Sequence, residues 1–224
     1  MELYHVLNRG VEKRDLFLEE ADYVRFVHNL YEFNDTKAAD NNAGHHMQYR
    51  DLRSPYIERR REKIVDIHGW CLMKNHYHLL LSDRVEGGIT LFMRRLNVGY
   101  ANYFNEKYER KGTLFQGRTK KVLIANHSHF LYILHYIHLN PLDYLEGSQG
   151  WRERDKETIR NVRNALEHLQ IHRWSSYLDY SAQRNFPSLL TTSLFHDVFG
   201  NYEKTITEYL QERKIDELSA FYLE

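Results

Sequence analysis

Two histidines separated by one residue, His76 and His78, lead into an apolar run that continues through Leu79, Leu80 and Leu81. Successive side chains of a β-strand point to opposite faces, so residues two apart share a face. The sequence therefore predicts a buried strand that presents two imidazoles side by side, on an element rigid enough to hold one metal ion. A pair of solvated histidines on a half-exposed strand would give the same pattern, so the pair alone does not distinguish a metal site from solvated side chains.

A second polar pair, Tyr136 and Asn140, lies further along the chain and is followed directly by Pro141. On a helix, residues four apart lie on one face. Taken alone, a helical tyrosine is more often a packing residue than a catalytic one. Together with His76 and His78, however, the amide oxygen of Asn140 could complete a site for a divalent ion. Mixed nitrogen and oxygen ligands suit Mg²⁺ or Mn²⁺, although zinc, nickel or cobalt could compete.

Tyr136 is the candidate nucleophile of this constellation. A free phenol has a pKa of about 10, so a nearby cation must favour the phenolate. The flanking His135 and His138 do not share its helix face, which predicts a structural or DNA-facing role for them. The main rival nucleophile is Tyr100, but Phe104 occupies the position four residues after it, where a ligand is needed.

Composition narrows the class of protein. The 224 residues carry 31 basic and 31 acidic side chains, so any nucleic-acid surface must be local rather than a property of the whole chain. The single cysteine, Cys71, excludes an intramolecular disulfide and is expected to be a buried small hydrophobe. We expect no membrane span and no secretory signal, and hence a cytoplasmic protein.

The predicted elements alternate in a recognisable order. Strands are expected at 3–7, 64–73, 77–82 and 121–124, with a shorter strand piece at 114–115. Helices are expected from 19 to about 34, from just after Gly87-Gly88 to about 108, over 129–140, and in the C-terminal part. This order predicts an α+β fold, a ferredoxin-like (split βαβ) antiparallel sheet with helices on one or both faces. We divide the chain into a catalytic domain, 1–180, with a polar insertion at about 36–61, and a C-terminal helical extension, 181–224. Within the insertion, the adjacent histidines at 45 and 46 are expected to be solvated.

Four tracts in chain order resemble the HUH endonucleases and, within them, the IS200-like single-tyrosine (Y1) transposases, above all the REP-associated tyrosine transposases. They are NHYHLLL at 75–81, GTLFQGR at 112–118, YIHLNP at 136–141 and RWSSY at 173–177. The opening YHVLNRG at 4–10 is similar to the first strand and turn of that family. The resemblance spans about residues 3 to 180.

This resemblance implies a function and a role for each site residue. His76, His78 and Asn140 would hold the divalent ion, Mg²⁺ or Mn²⁺. Tyr136 would attack a phosphodiester of single-stranded DNA, leaving a 5′-phosphotyrosine and a free 3′-hydroxyl. The activity would be DNA recombination on strands that carry hairpins, which in the REP-associated branch are REP-like elements. The enzyme would be a monomer or a homodimer.

The chain departs from the family pattern in three places. Lys74 replaces a proline that often precedes the Asn-His pair, the stretch 36–61 is longer than the usual connection, and the tail beyond 180 is an addition. These differences concern the DNA specificity and the oligomeric state rather than the chemistry.

Cationic grooves combined with stacking aromatic rings hold single strands of nucleic acid. Two basic clusters are the candidates for DNA binding, one after the first strand and one after the GTLFQGR tract: Arg9, Lys13 and Arg14; Arg118, Lys120 and Lys121. Two other functional classes remain open at this point. One is a non-catalytic hairpin-binding protein, domesticated as a host factor, and the other is a metal-independent endoribonuclease.

Overall fold

The computed structural model describes residues 1–37, 61–152 and 161–212. Four strands form one sheet: β1, Leu3–Arg9; β2, Val65–Met73; β3, His76–Asp83; β4, Lys120–Leu123. The α-helices are α1, Glu20–Glu32; α2, Gly88–Lys107; α3, His127–Leu139; α4, Val162–Ile171; α5, Tyr177–Tyr180; α6, Ser193–Phe199; α7, Tyr202–Glu212. A 3₁₀ helix, Asn140–Tyr144, follows α3, and another spans Gln149–Arg152.

The sheet has the strand order β2-β3-β1-β4, and every neighbouring pair is antiparallel. Strand β3 therefore lies between β1 and β2, and β1 lies between β3 and β4. Each of these two interleaved units is a split βαβ, with α1 and α2 as the connecting helices. The predicted α+β, ferredoxin-like fold is confirmed.

Helices cover both faces of the sheet because strand β3 is apolar on both sides. Tyr77, Leu79 and Leu81 pack with α1 and α2 in one core, whereas Leu80 packs with α3 in a second core. The second core also includes Phe195 from α6 and aromatic and aliphatic residues of α7. The C-terminal helices thus pack on the face of the sheet that carries the histidine pair.

The strand piece expected at Leu114–Phe115 is not a strand. Phe115 forms only an isolated bridge with Gly10. Glycines with positive φ, +94° at Gly112 and +67° at Gly117, flank this piece and turn the backbone away at both ends. A longer ladder therefore cannot form there.

Most of the predicted insertion, residues 38–60 with the adjacent histidines at 45 and 46, lies outside the described residues, as do 213–224 of the C-terminal extension. Across the three described ranges, no helix has both the length and the apolar composition needed to cross a bilayer.

Candidate active site

Strand β3 presents its histidines on the face covered by α3. The rings of His76 and His78 lie 4.9 Å apart, centroid to centroid, and nearly perpendicular to each other. His78 is fully buried, and Leu79, Leu80 and Leu81 behind it are fully buried as well. The pair is therefore fixed to the centre of the sheet, as the alternation of the strand predicts.

Strand β1 adds a third imidazole, that of His5. Its Nε2 lies 2.9 Å from His78 Nδ1, so one nitrogen donates to the other, and the two rings are stacked. The remaining nitrogen of His78, Nε2, is buried and has no hydrogen-bond partner among the described residues. Buried polar atoms without a partner are uncommon in native proteins, so this atom indicates a ligand.

Helix α3 brings Tyr136 to this cluster. The helix begins after Asn126, whose side chain accepts a hydrogen bond from the backbone of His129. The Tyr136 ring lies 5.7 Å from the His5 ring and 5.7 Å from the His78 ring, edge-on to both. One chain therefore contains the candidate nucleophile and the histidine pair side by side.

Asn140 begins the 3₁₀ helix that follows α3 and is fully buried. Its Nδ2 donates to the Tyr136 carbonyl over 2.7 Å, and its Oδ1 accepts from Arg152 Nη2 over 2.6 Å. Arg152 also donates to Asp143, and Asp143 accepts in addition from the Trp151 indole over 2.7 Å. The oxygen that was predicted as the third metal ligand therefore has a guanidinium as its partner.

The histidines of this cluster are neutral at physiological pH. Burial, and then the positive charges of Arg9 and Arg152, lower the pKa of His76 from 6.5 to about 4. Burial lowers the pKa of His5 to about 3, and burial with the neighbouring imidazoles holds the pKa of His78 well below 6.5. Neutral imidazole is the form that binds metal ions.

His76, His78 and Asn140 supply part of a binding site for a divalent cation. His76 Nδ1 is 2.7 Å from Asn75 Oδ1, and His78 Nδ1 is engaged by His5, so both rings are oriented through Nδ1. Such bonds are typical of metal-ligating histidines. Asn140 would have to share or exchange its oxygen with Arg152. Within the described part of the chain, no three His, Cys, Asp or Glu side chains form a cluster that could hold a metal.

A basic cleft opens next to the histidines. Arg9, which pairs with His76 in the β1–β3 ladder, lines a cavity of about 230 Å³ together with Arg118 and Lys120. Lys121 lies elsewhere: its Nζ is 3.7 Å from the centre of the Tyr4 ring and 4.0 Å from the Asp83 carboxylate. Three of the six predicted DNA-binding side chains are thus brought together.

Lys13 and Arg14 occupy an exposed turn after β1. The backbone of Glu12 and Lys13 is left-handed, with φ of 55° and 60°. Asn75 Nδ2 donates to the Lys13 carbonyl over 3.2 Å, while Asn75 Oδ1 bonds to His76. Asn75 therefore bonds both to the basic turn and to the ring of His76, the first predicted metal ligand.

His135 and His138 face the C-terminal helices. His138 Nδ1 lies 2.8 Å from the Tyr202 hydroxyl, and His138 Nε2 lies 2.7 Å from Ser176 Oγ. His135 Nδ1 lies 3.1 Å from the same Tyr202 hydroxyl. Of the two roles considered for these histidines, the geometry shows the structural one.

Sequence reasoning did not find His5, Arg152 or Trp151. His5 has the signal of a strand residue whose side chain alternates with Val6, but only the pairing of β1 with β3 shows that it contacts His78. Arg152 and Trp151 carry no periodic signal, because they lie in a short 3₁₀ turn that reaches the site from outside the sheet.

Comparison with known proteins agrees with this arrangement. Residues 44–140 match the family described as "Transposase IS200 like". Over this segment the chain is similar to the IS200-like transposases. The match includes His76, His78, Tyr136 and Asn140, and it confirms both the resemblance read from the motifs and the predicted enzyme class.

No curated protein matches the chain. A solved structure described as "Structure of the REP associates tyrosine transposase bound to a REP hairpin" aligns with a TM-score of 0.43 and 11% identity, covering 85% of this chain and 84% of that chain.

Proposed function

We propose that the chain is a metal-dependent single-strand DNA endonuclease and strand transferase of the REP-associated type, and that Tyr136 is its nucleophile. The observation that carries the proposal is the position of the Tyr136 ring, 5.7 Å from the rings of both His5 and His78 within one chain. The family match over 44–140 supports the same reaction class.

In the proposed reaction, the Tyr136 oxygen attacks the phosphorus of a phosphodiester. A Tyr–O–P bond forms and the P–O3′ bond breaks. The phenolic proton leaves Tyr136, and the departing oxygen gains a proton to become a free 3′-hydroxyl. The DNA remains attached through its 5′-phosphate, so the 3′-hydroxyl of a second strand can reverse the step and join to it.

His76, His78 and Asn140 would hold the divalent cation, Mg²⁺ or Mn²⁺. When bound, such an ion supplies Lewis-acid stabilisation of charge on the phosphoryl oxygens. The chain's own contribution is orientation: His5 holds the His78 ring, Asn75 holds the His76 ring, and the buried helix α3 fixes Tyr136 against them. Preorganised groups of this kind contribute by positioning the reactants.

The basic cleft supports DNA as the substrate. Arg9, Arg118 and Lys120 line it, and Arg9 sits directly opposite His76 in the sheet. A single strand bound through its phosphates in the cleft would therefore lie close to His76. We propose a hairpin stem as the recognised element and the flanking single strand as the cleaved one.

The test is adduct formation on labelled single-stranded hairpin DNA in the presence of Mn²⁺. The full chain is expected to form a covalent complex that survives denaturation, and chelator is expected to prevent it. Tyr136→Phe is expected to bind the hairpin with near-normal affinity and to form no adduct. Tyr100→Phe is the matched control for loss of one buried hydroxyl, and it should retain the adduct if it folds. A normal adduct in Tyr136→Phe would reject the assignment.

One observation favours a second candidate, a non-catalytic hairpin-binding protein. The Asn140 oxygen, needed as a ligand, accepts from Arg152 over 2.6 Å. If this bond persists in the presence of a divalent ion, the chain would bind hairpin DNA and leave it uncut. Hairpin binding without any adduct at saturating Mn²⁺ is the result that this alternative predicts.

A further inference from the structure

Arg152 lies beside the proposed active site without a role in the reaction described above. Its guanidinium donates to Asn140 Oδ1 over 2.6 Å and to Asp143 Oδ1, and it lies over the Trp151 ring, 4.4 Å from the ring centre. Only 17% of its side chain is exposed. A nearly buried arginine with fixed partners differs from a solvated surface charge, whose contribution is small.

Asn140 cannot turn away from this guanidinium. Its Nδ2 donates to the Tyr136 carbonyl over 2.7 Å, which fixes the opposite atom, Oδ1, toward Arg152. The reversed amide would place its NH₂ group against the guanidinium and its oxygen against the carbonyl, and both contacts would be repulsive. The amide oxygen therefore stays in one place whether or not Arg152 remains there.

The anchor of Arg152 is also fixed. Asp143 Oδ1 accepts from the Trp151 indole over 2.7 Å as well as from Arg152. The guanidinium could therefore leave Asn140 and remain attached to Asp143. It would then still lie near the Tyr136 ring, whose centre is 5.9 Å from the guanidinium carbon.

The charge of Arg152 extends to the histidine pair. Its guanidinium carbon lies 5.9 Å from the centre of the Tyr136 ring, and that ring lies 5.7 Å from the His78 ring. A divalent cation held by His76, His78 and Asn140 would meet this resident positive charge. Like charges at such close range repel, so the guanidinium and the divalent ion would compete for the same place.

We propose that Arg152 is a resident cation that holds the Asn140 oxygen in the metal-free chain, gives it up to the divalent ion, and then donates to a non-bridging oxygen of the phosphodiester. This inference rests on the proposed function and deepens it. A guanidinium matches the geometry of phosphate oxygens and carries its donors in a planar fork. The exchange would couple metal binding to the arrival of a phosphate-binding group beside Tyr136.

The first readout is Mn²⁺ affinity of the metal-free full chain, measured by isothermal titration calorimetry. Arg152→Met keeps the aliphatic stem on Trp151 and removes the charge. We expect it to bind Mn²⁺ about tenfold or more tightly than the wild type. Arg152→Lys, which keeps a positive charge, should stay near the wild-type value. Arg163→Met is the matched control, because Arg163 is an exposed arginine on α4 whose guanidinium pairs with Glu167.

The second readout is the rate of adduct formation on hairpin DNA at saturating Mn²⁺. Removal of a preorganised donor to developing charge typically costs about 10²–10³-fold, so Arg152→Met should slow the step by that order. Arg152→Lys should recover part of the rate. A merely structural role would weaken metal binding and the covalent step together, whereas the proposal predicts that they change in opposite directions.

Each result is decisive. Tighter Mn²⁺ binding together with a slower adduct supports the proposal. Equal or weaker Mn²⁺ binding in a folded Arg152→Met overturns the resident-cation role, and an unchanged adduct rate overturns the phosphate contact. If Arg152→Met does not fold by circular dichroism, Arg152→Gln answers the same two questions. A wild type that forms no adduct contradicts the proposed function alone, and the Mn²⁺ titration still tests the exchange.

Discussion

Helix α3 contributes to two buried clusters, each made of two histidines and one tyrosine, which differ in their hydrogen bonding. The first contains Tyr136 with His5 and His78 from the sheet. The second contains His135 and His138 with Tyr202 from α7. Both are sealed from solvent, so burial alone does not distinguish a reactive cluster from a structural one.

The second cluster is closed. Both ring nitrogens of His138 have partners, Tyr202 and Ser176, and the Tyr202 hydroxyl also bonds to His135. Satisfied buried networks of this kind hold packed elements in one arrangement. Its role is to attach the C-terminal helices to the helix that carries Tyr136.

The first cluster is open. Among the described residues, neither His5 Nδ1 nor His78 Nε2 has a hydrogen-bond partner, although both atoms are buried. Each unsatisfied buried polar atom costs about 1–3 kcal/mol, so such a cluster opposes folding unless a ligand fills it. Incomplete hydrogen bonding, rather than residue type, therefore separates the proposed active site from the structural cluster on this helix.

The largest expected difference between the clusters is in catalysis. His78→Ala should reduce adduct formation by about a thousandfold, because it removes a proposed ligand beside Tyr136. Its thermal midpoint should also fall, since His5 Nε2 loses its partner and a cavity replaces the buried ring, so adduct formation is compared per folded molecule. The measurement is adduct yield against time at saturating Mn²⁺, combined with a melting curve.

His138→Ala is the matched control from the closed cluster. It should lower the free energy of unfolding by about 1–3 kcal/mol, since Tyr202 and Ser176 each lose a partner, and the folded fraction should retain adduct formation. Equal loss of activity in both variants would show that the two clusters do not differ as described.

A smaller effect is expected at His5, which orients His78 without being a proposed ligand. His5→Phe keeps the ring and removes the nitrogen that lies 2.9 Å from His78 Nδ1. Loss of such a supporting bond typically weakens metal affinity by about 10–100-fold. Calorimetric titration with Mn²⁺ tests this, and an unchanged dissociation constant would mean that His5 only packs.

The closed cluster should also shape the pH dependence of stability. Burial lowers the pKa of His135 from 6.5 to about 3, so the unfolded chain binds the proton more tightly than the folded chain. The stabilising contribution is therefore complete above pH 6.5 and decreases as the pH falls from 6.5 toward 3. Between pH 6.5 and 5 the loss from this one group is roughly 1–2 kcal/mol.

His135→Phe should flatten that part of the profile, because the phenyl ring can occupy the stack with Tyr202 and Tyr209 without a titrating nitrogen. Urea unfolding at several pH values from 7 to 5 measures the slope. An identical slope in the variant and the wild type would show that His135 titrates normally in the folded chain.

The sequence predicts the elements better than it predicts the contacts between them. Alternation and helical spacing were sufficient for β3 and for α3, and hence for the placement of His76, His78 and Tyr136. They were not sufficient for His5, because a contact across two strands depends on register rather than on local pattern. Arg152 could not be predicted for a further reason. It lies 12 residues after its partner Asn140 and meets it through an irregular segment that ends in a 3₁₀ helix, which has no periodic pattern in the sequence.

The same distinction explains the unequal result for the basic residues. Arg9 and Lys120 lie on strands whose pairing brings them together with Arg118 in one cleft. Lys121 follows Lys120 and therefore points to the opposite face of the sheet, toward Tyr4. The pleat therefore divides this cluster, and two of its three basic residues, Arg118 and Lys120, face the cleft.

We propose that DNA becomes attached at the open cluster around Tyr136. The most direct measurement is peptide mapping by mass spectrometry of the denaturation-resistant complex formed with single-stranded hairpin DNA and Mn²⁺. We expect a nucleotide 5′-phosphate on Tyr136 and on no other tyrosine. Attachment at Tyr100, Tyr202 or any residue outside the open cluster would contradict it.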